Sequence, residues 1–123
     1  MAQPRVLEVV HPPQQDANAA EVIIRLQVQP ELRWFEGHFA AQPLLPGVVQ
    51  TTWAVQFGRR YFSLPPNFLY MSNMKFMRFI LPDAQVELRL RYSADKRELA
   101  FEYREATAAG MAICASGRMG FGQ

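Results

Sequence analysis

Gly37-His38-Phe39-Ala40-Ala41-Gln42-Pro43-Leu44-Leu45-Pro46-Gly47-Val48 sets one histidine in a loop punctuated by proline and glycine, nine residues ahead of Gly47. Pro46 suits the start of a helix, where a missing N–H is no loss, and Gly47 lets another group approach the backbone closely. The apolar stretch that follows, residues 48–62, has helical length. An imidazole would then face unpaired N–H groups at a helix N-terminus, where negative charge is favoured. A base opposite an oxyanion site is what chemistry on a thioester carbonyl requires.

Downstream, Pro65-Pro66 predicts the end of this helix near Phe62. Its apolar residues Val48, Val49, Trp53, Ala54, Val55 and Phe57 go most of the way round, which predicts burial on nearly all sides. Four strands are expected after it: residues 68–79, the alternating run 86–92, residues 99–104 with Leu99, Phe101 and Tyr103 on one face, and residues 111–121. Upstream, Val22, Ile24, Leu26 and Val28 alternate with polar residues in a half-buried strand that Pro30 closes, while residues 11–20 read as irregular. One early strand, one buried helix and an antiparallel meander predict an α+β domain over residues 1–123 whose sheet wraps a central helix.

Half of the 123 residues are hydrophobic and a fifth charged, enough for a core. No apolar run reaches the ~18 residues of a membrane span, and Met1-Ala2-Gln3-Pro4 lacks a signal-peptide pattern, so a cytoplasmic protein without membrane attachment is expected. A net charge of +2 is too mild to argue for nucleic acid. One cysteine and two histidines are a poor inventory for zinc, and Cys114, between Ile113 and Ala115, reads as a buried structural thiol.

The motif G-H-F-x-x-x-P-x-x-P-G-V between a first strand and a long helix, with Gln56 in that helix, Lys75-Phe76 later and Pro82-Asp83 before an alternating strand, resembles the hotdog-fold 3-hydroxyacyl-[acyl-carrier-protein] dehydratases. The run Pro46-Gly47-Val48-Val49-Gln50-x-x-Trp53 looks like the dehydratases of aryl-polyene pigment clusters. The resemblance implies a homodimer with two interfacial sites, no metal or redox cofactor, and elimination of water from a 3-hydroxyacyl chain on acyl carrier protein. His38 matches the histidine that removes the C2 proton, and Gly47 the glycine whose N–H holds the thioester carbonyl. Phe39, Pro46, Val48 and Gln56 are the substrate-binding candidates. The family's second catalytic group is an Asp or Glu five residues after that glycine, reaching the site of the partner subunit; here it is Thr52.

His38 would titrate near ~6.5 if unperturbed, suited to a base at neutral pH; its plainer role is to brace a loop. Thr52 cannot replace a carboxylic acid, because an alcohol holds its proton too tightly, although its hydroxyl could orient the substrate or a water. His38 could both take the C2 proton and return it to the hydroxyl. Glu36 shares a face with His38 in extended backbone and is a candidate substitute acid, although a solvated glutamate is the simpler reading. Gln56 lies one turn after Thr52 on the same helix face, near the acid's position in the resembled family, or merely satisfying its own neighbours. Trp34, Phe35, Trp53 and Phe76 read as core before pocket wall. Arg59, Arg60, Lys75 and Arg78 are either solvated side chains at element ends or a docking surface for an acidic carrier protein. Two other functions fit the same residues: a hotdog thioesterase activating water with Thr52 or Glu36, and a non-catalytic carrier-binding subunit.

Overall fold

The computed structural model describes residues 3–14, 17–32 and 44–123. His38, Phe39, Glu36, Trp34 and Phe35 lie outside the described residues. Six strands and one helix follow the order β1 (Arg5–Val10), β2 (Ala19–Gln27), α1 (Gly47–Tyr61), β3 (Asn67–Phe76), β4 (Gln85–Ser93), β5 (Glu98–Thr107) and β6 (Gly110–Gly122). They form one antiparallel sheet in the order β1-β2-β4-β5-β6-β3. A long helix held against such a sheet is the hotdog arrangement.

Alternation decides which face of the sheet meets α1. Val22, Ile24 and Leu26 stand opposite Leu90, Leu88 and Val86, and Leu88, Leu90 and Tyr92 in turn stand opposite Tyr103, Phe101 and Leu99. All of these are buried, and Val49, Trp53, Ala54 and Phe57 of the helix complete their cluster. The other face of the sheet carries the charges. Arg91 pairs with Glu21 at 3.1 Å and Arg25 with Glu8 at 3.3 Å, exposed ion pairs of the kind worth about 0–1 kcal/mol each.

Four expectations need correction. Residues 5–10 form a strand that sequence alone did not supply, because Val6, Leu7, Val9 and Val10 do not alternate cleanly with polar residues. The strand expected over residues 68–79 ends at Phe76. The meander holds only for β4-β5-β6; β3 lies beyond β6, at the sheet edge. Finally, α1 is not buried all round: Val48 is 71% exposed, and Thr52, Gln56, Arg59 and Arg60 continue an exposed stripe along the helix.

Two bulges shape the region beside the helix N-terminus. Between β3 and β6 the register shifts from Ser72 to Lys75, around Asn73 in the left-handed region at φ 54°. Between β5 and β6, Tyr103 and Arg104 are consecutive while their partners are Ala115 and Ile113, so Cys114 is the extra residue. Its carbonyl accepts the N–H groups of Met77 (2.8 Å) and Arg78 (3.1 Å), tying the chain beyond β3 to the sheet.

Candidate active site at the N-terminus of the helix

Pro46 is the N-cap of α1, extended at φ −61° and ψ 147°, and among the described residues no side-chain hydrogen bond caps the helix. The N–H groups of Val49 and Gln50 both donate to the Pro46 carbonyl, at 3.1 and 3.2 Å. The amides of Gly47 and Val48, the two that precede them, are the donors a helix start leaves for a ligand. The entry to the helix is held firmly: Leu45 N–H donates to the Ile80 carbonyl at 2.8 Å.

These groups open on a cleft of about 440 Å³ lined by Leu44, Leu45, Gly47, Gln50 and the segment from Phe76 to Phe79. The Phe76 ring rests against Gly47; a methyl at Gly47 would meet its Cε1 and Cζ at 3.0 Å. Close approach at Gly47, expected from sequence, is therefore made here by an aromatic ring. Phe76, Met77 and Phe79 are half-exposed or more, so Phe76 is a pocket wall and not core, contrary to expectation; Trp53 is core as expected. Two other depressions, of about 190 and 220 Å³, lie among the charged residues of the outer sheet face, far from this chemistry.

Gln50 is 4% exposed, and sequence reasoning missed it. A glutamine in the first turn of a largely apolar helix, three residues after Gly47, was the signal available. Its Nε2 donates to the Leu45 carbonyl at 3.1 Å, which fixes the orientation of the amide, and its Oε1 has no hydrogen-bond partner among the described residues. Its backbone carbonyl accepts from the Tyr103 hydroxyl at 2.6 Å, a bond that ties the helix to β5. Complete burial pushes the Tyr103 hydroxyl far above the usual tyrosine range, so it remains a donor.

Thr52 Oγ1 donates to the Val48 carbonyl at 2.8 Å, and Thr51 Oγ1 to the same carbonyl at 2.9 Å. The Thr52 hydroxyl thus spends its proton within the helix while its side chain stays on the exposed stripe. Gln56, also on that stripe, accepts at Oε1 from Gln3 Nε2 at 2.5 Å. The structure brings Gly47 to the cleft, sets Pro46 at the helix N-cap, and places Val48, Thr52 and Gln56 on the exposed stripe of the helix.

The four basic candidates do not form one cluster. Arg59 donates to the carbonyls of Pro65 and Pro66 and lies over the Phe121 ring, so it locks the turn after the helix. Arg60 lies over Phe57 at the same end. Arg78 lines the cleft at the opposite end, about 20 Å away along a helix of this length, and pairs with Glu105 at 3.0 Å. Lys75 is exposed beside Phe76. Among the described residues, no group of three His, Cys, Asp or Glu is placed to hold a metal ion. Among them, too, no helix is long and apolar enough to cross a membrane.

A family model described as ApeI-like, ApeI dehydratase, matches residues 14–118 of this chain. The chain belongs to the ApeI-like dehydratase family. This ApeI-like chain is 28% identical over 94 residues to proteins named 3-hydroxyacyl-[acyl-carrier-protein] dehydratase FabZ in Shewanella oneidensis and Shewanella baltica. The match takes in 68% of this chain and spans about three fifths (61%) of the length of those curated relatives. Among solved structures, an uncharacterized protein from Erwinia carotovora subsp. atroseptica is 33% identical with a TM-score of 0.89, covering 98% of this chain and 96% of its own. The dehydratase heterocomplex ApeI:P from Xenorhabdus doucetiae is 26% identical with a TM-score of 0.82, covering 98% of this chain and 99% of its own. The ApeI-like family and the hotdog fold agree with the resemblance read from Gly37 to Val48.

Proposed function

We propose that this chain dehydrates 3-hydroxyacyl thioesters carried on an acyl carrier protein, giving trans-2-enoyl thioesters. The observation that carries the reading is the uncapped N-terminus of α1 opening on an apolar cleft, in a chain of a dehydratase family. The Gly47 amide would hold the thioester oxygen as negative charge builds there. His38 is assigned the base: it takes the C2 proton, the electron pair forms the C2–C3 double bond, and the C3 hydroxyl leaves with a proton as water. With Thr52 bonded to the Val48 carbonyl, that proton is assigned to the imidazolium of His38, Glu36 being the alternative donor. Phe39, Pro46, Val48 and Gln56 are proposed to line the acyl path, without metal or redox cofactor.

The chain, read as one cytoplasmic hotdog domain over residues 1–123, is assigned to a homodimer. Support comes from its bare apolar edge: Leu69 is 61% exposed, Met71 52%, Met77 56% and Phe79 65%, and Val48 of the helix is exposed as well. Such surface calls for a protein partner. Arg60 and Lys75 remain the better carrier-docking candidates, because Arg59 and Arg78 already serve other groups. Aryl-polyene synthesis is the assigned setting, on the family match and on the run from Pro46 to Trp53.

Thr52 favours a second reading, a carrier-binding subunit whose relative supplies the acid. One experiment separates them. Incubation of the pure chain with a 3-hydroxyacyl carrier should yield enoyl product, and His38→Ala should abolish it with the fold intact. Free acid would mean thioester hydrolysis, and binding without turnover would mean the subunit. Thr52→Asp should raise dehydration by about 10²-fold, the lower end for a general acid, if proton delivery limits the rate. Slower turnover in that variant would show that Thr52 is already suited to the site.

A further inference from the structure

Gln50 is the one described side chain of the cleft whose polar atom is buried and unsatisfied. Gln50 is 4% exposed as a residue, and its amide nitrogen is committed to Leu45. The carbonyl oxygen Oε1 is left with no donor among the described residues. A buried acceptor without a partner is destabilising, and native proteins rarely keep one that serves nothing. Its position is specific. Helical side chains lean toward the N-terminus, which brings the Gln50 amide back beside Leu45, two residues before Gly47. Gln50 and Gly47 line the same cleft, so the amide stands on the wall that the Gly47 N–H shares.

A carbonyl oxygen accepts and cannot donate, so the group it awaits must carry an O–H or N–H. In a 3-hydroxyacyl thioester the C3 hydroxyl lies two carbons from the carbonyl, and it is the donor nearest the carbonyl that Gly47 would hold. We infer that Gln50 Oε1 accepts a hydrogen bond from the substrate's 3-hydroxyl, making Gln50 a specificity-determining and positioning residue. This rests on the dehydratase reading above. The bond turns the hydroxyl's own hydrogen toward Gln50 and leaves its lone pairs directed at the proton donor. Phe76, half-exposed and resting on Gly47, is the aromatic wall of the same cleft. A site with a buried acceptor discriminates against an analogue that lacks the hydroxyl, because the acceptor then stays unpaired.

The test is binding, not turnover, with stable amide analogues of pantetheine thioesters that carry or lack the 3-hydroxyl. Wild type should prefer the hydroxylated analogue by about tenfold or more. Gln50→Met, which keeps the length and loses the acceptor, should bring the ratio to about one while holding its affinity for the deoxy analogue. Gln50→Glu, which keeps an acceptor but loses the bond to Leu45, should retain the preference. The inference is overturned if wild type shows no preference, if Gln50→Met retains it, or if Gln50→Met loses both analogues equally while Gln50→Glu does the same. Failure of the dehydratase reading would register separately, as a hydroxyl preference in binding without enoyl product from the 3-hydroxyacyl carrier.

Discussion

A methyl group added at Gly47 would sit 3.0 Å from two atoms of the Phe76 ring, and it would also stand between the helix amide and any incoming carbonyl. Gly47→Ala should leave a folded protein and lower turnover by about 10²-fold, the scale of a misplacement of about 1 Å at a reacting centre. Adding Phe76→Leu makes room for the methyl without restoring access to the amide. The double variant should therefore stay slow in the same kinetic assay, and full recovery would reduce Gly47 to a packing role. Cys114 illustrates the opposite kind of residue. Burial, with a smaller contribution from Glu105, pushes its thiol up to about 11 from the usual value of 9.0. A raised acid pKa favours the folded state while the thiol is protonated, so this contribution is lost as pH rises from about 9 toward about 11. Labelling of the native protein by a thiol reagent at pH 8 should be slow and limited by unfolding, and rapid in denaturant. Fast native labelling would show the thiol to be accessible.

Helix α1 tests which of two opposing effects is larger. Replacing Gly58 by alanine within a helix should gain about 1 kcal/mol in propensity. The new Cβ, however, would meet Leu99 Cδ2 at 2.7 Å and Leu64 Cδ1 at 3.3 Å. Leu99 is fully buried, so it has nowhere to go, and overpacking costs about 1–3 kcal/mol. Gly58→Ala should lower the melting temperature by about 3–5 °C; an unchanged or higher value would mean that Leu99 finds another rotamer. The same helix shows how far sequence reading reaches. Its ends were legible because Pro46, Gly47 and the Pro65-Pro66 pair act locally on the backbone. The strands β2, β4 and β5 were legible because their alternation records one buried face, and β6 was legible as an apolar run after a turn although its burial does not alternate. The place of β3 beyond β6 was not, since pairing order depends on contacts distant in sequence. Neither bulge was legible, because Asn73 and Cys114 carry no special residue type that demands one. In the site, the loop motif marked the helix start, but the reach of Phe76 to Gly47 and the empty acceptor of Gln50 exist only once the Cys114 carbonyl has gathered residues 76–79 beside the helix.

At the scale of the molecule, neither edge of the sheet is finished: β1 exposes Val6, Leu7 and Val10 at one edge, and β3 lies at the other. The sheet's outer face is coated with ion pairs and its inner face is filled by α1, but β3 ends the sheet with apolar side chains in the open. If two copies pair along this edge, wild type at micromolar concentration should sediment as a dimer. Met71→Lys, which puts a charge on the edge, should give a folded monomer that has lost turnover. A wild-type monomer under the same conditions would remove the shared-site reading. The bare edge also bears on the chain's early life after synthesis. A newly folded chain exposes unpaired backbone groups beside Leu69 and Met71, a template that accepts any extended segment. Correct assembly and misassembly both scale with the square of chain concentration, so faster production does not favour the right partner over the wrong one. What decides between them is how long each chain waits uncovered, which makes the supply of a matching edge, and not the stability of the folded chain, the determinant of how much protein survives.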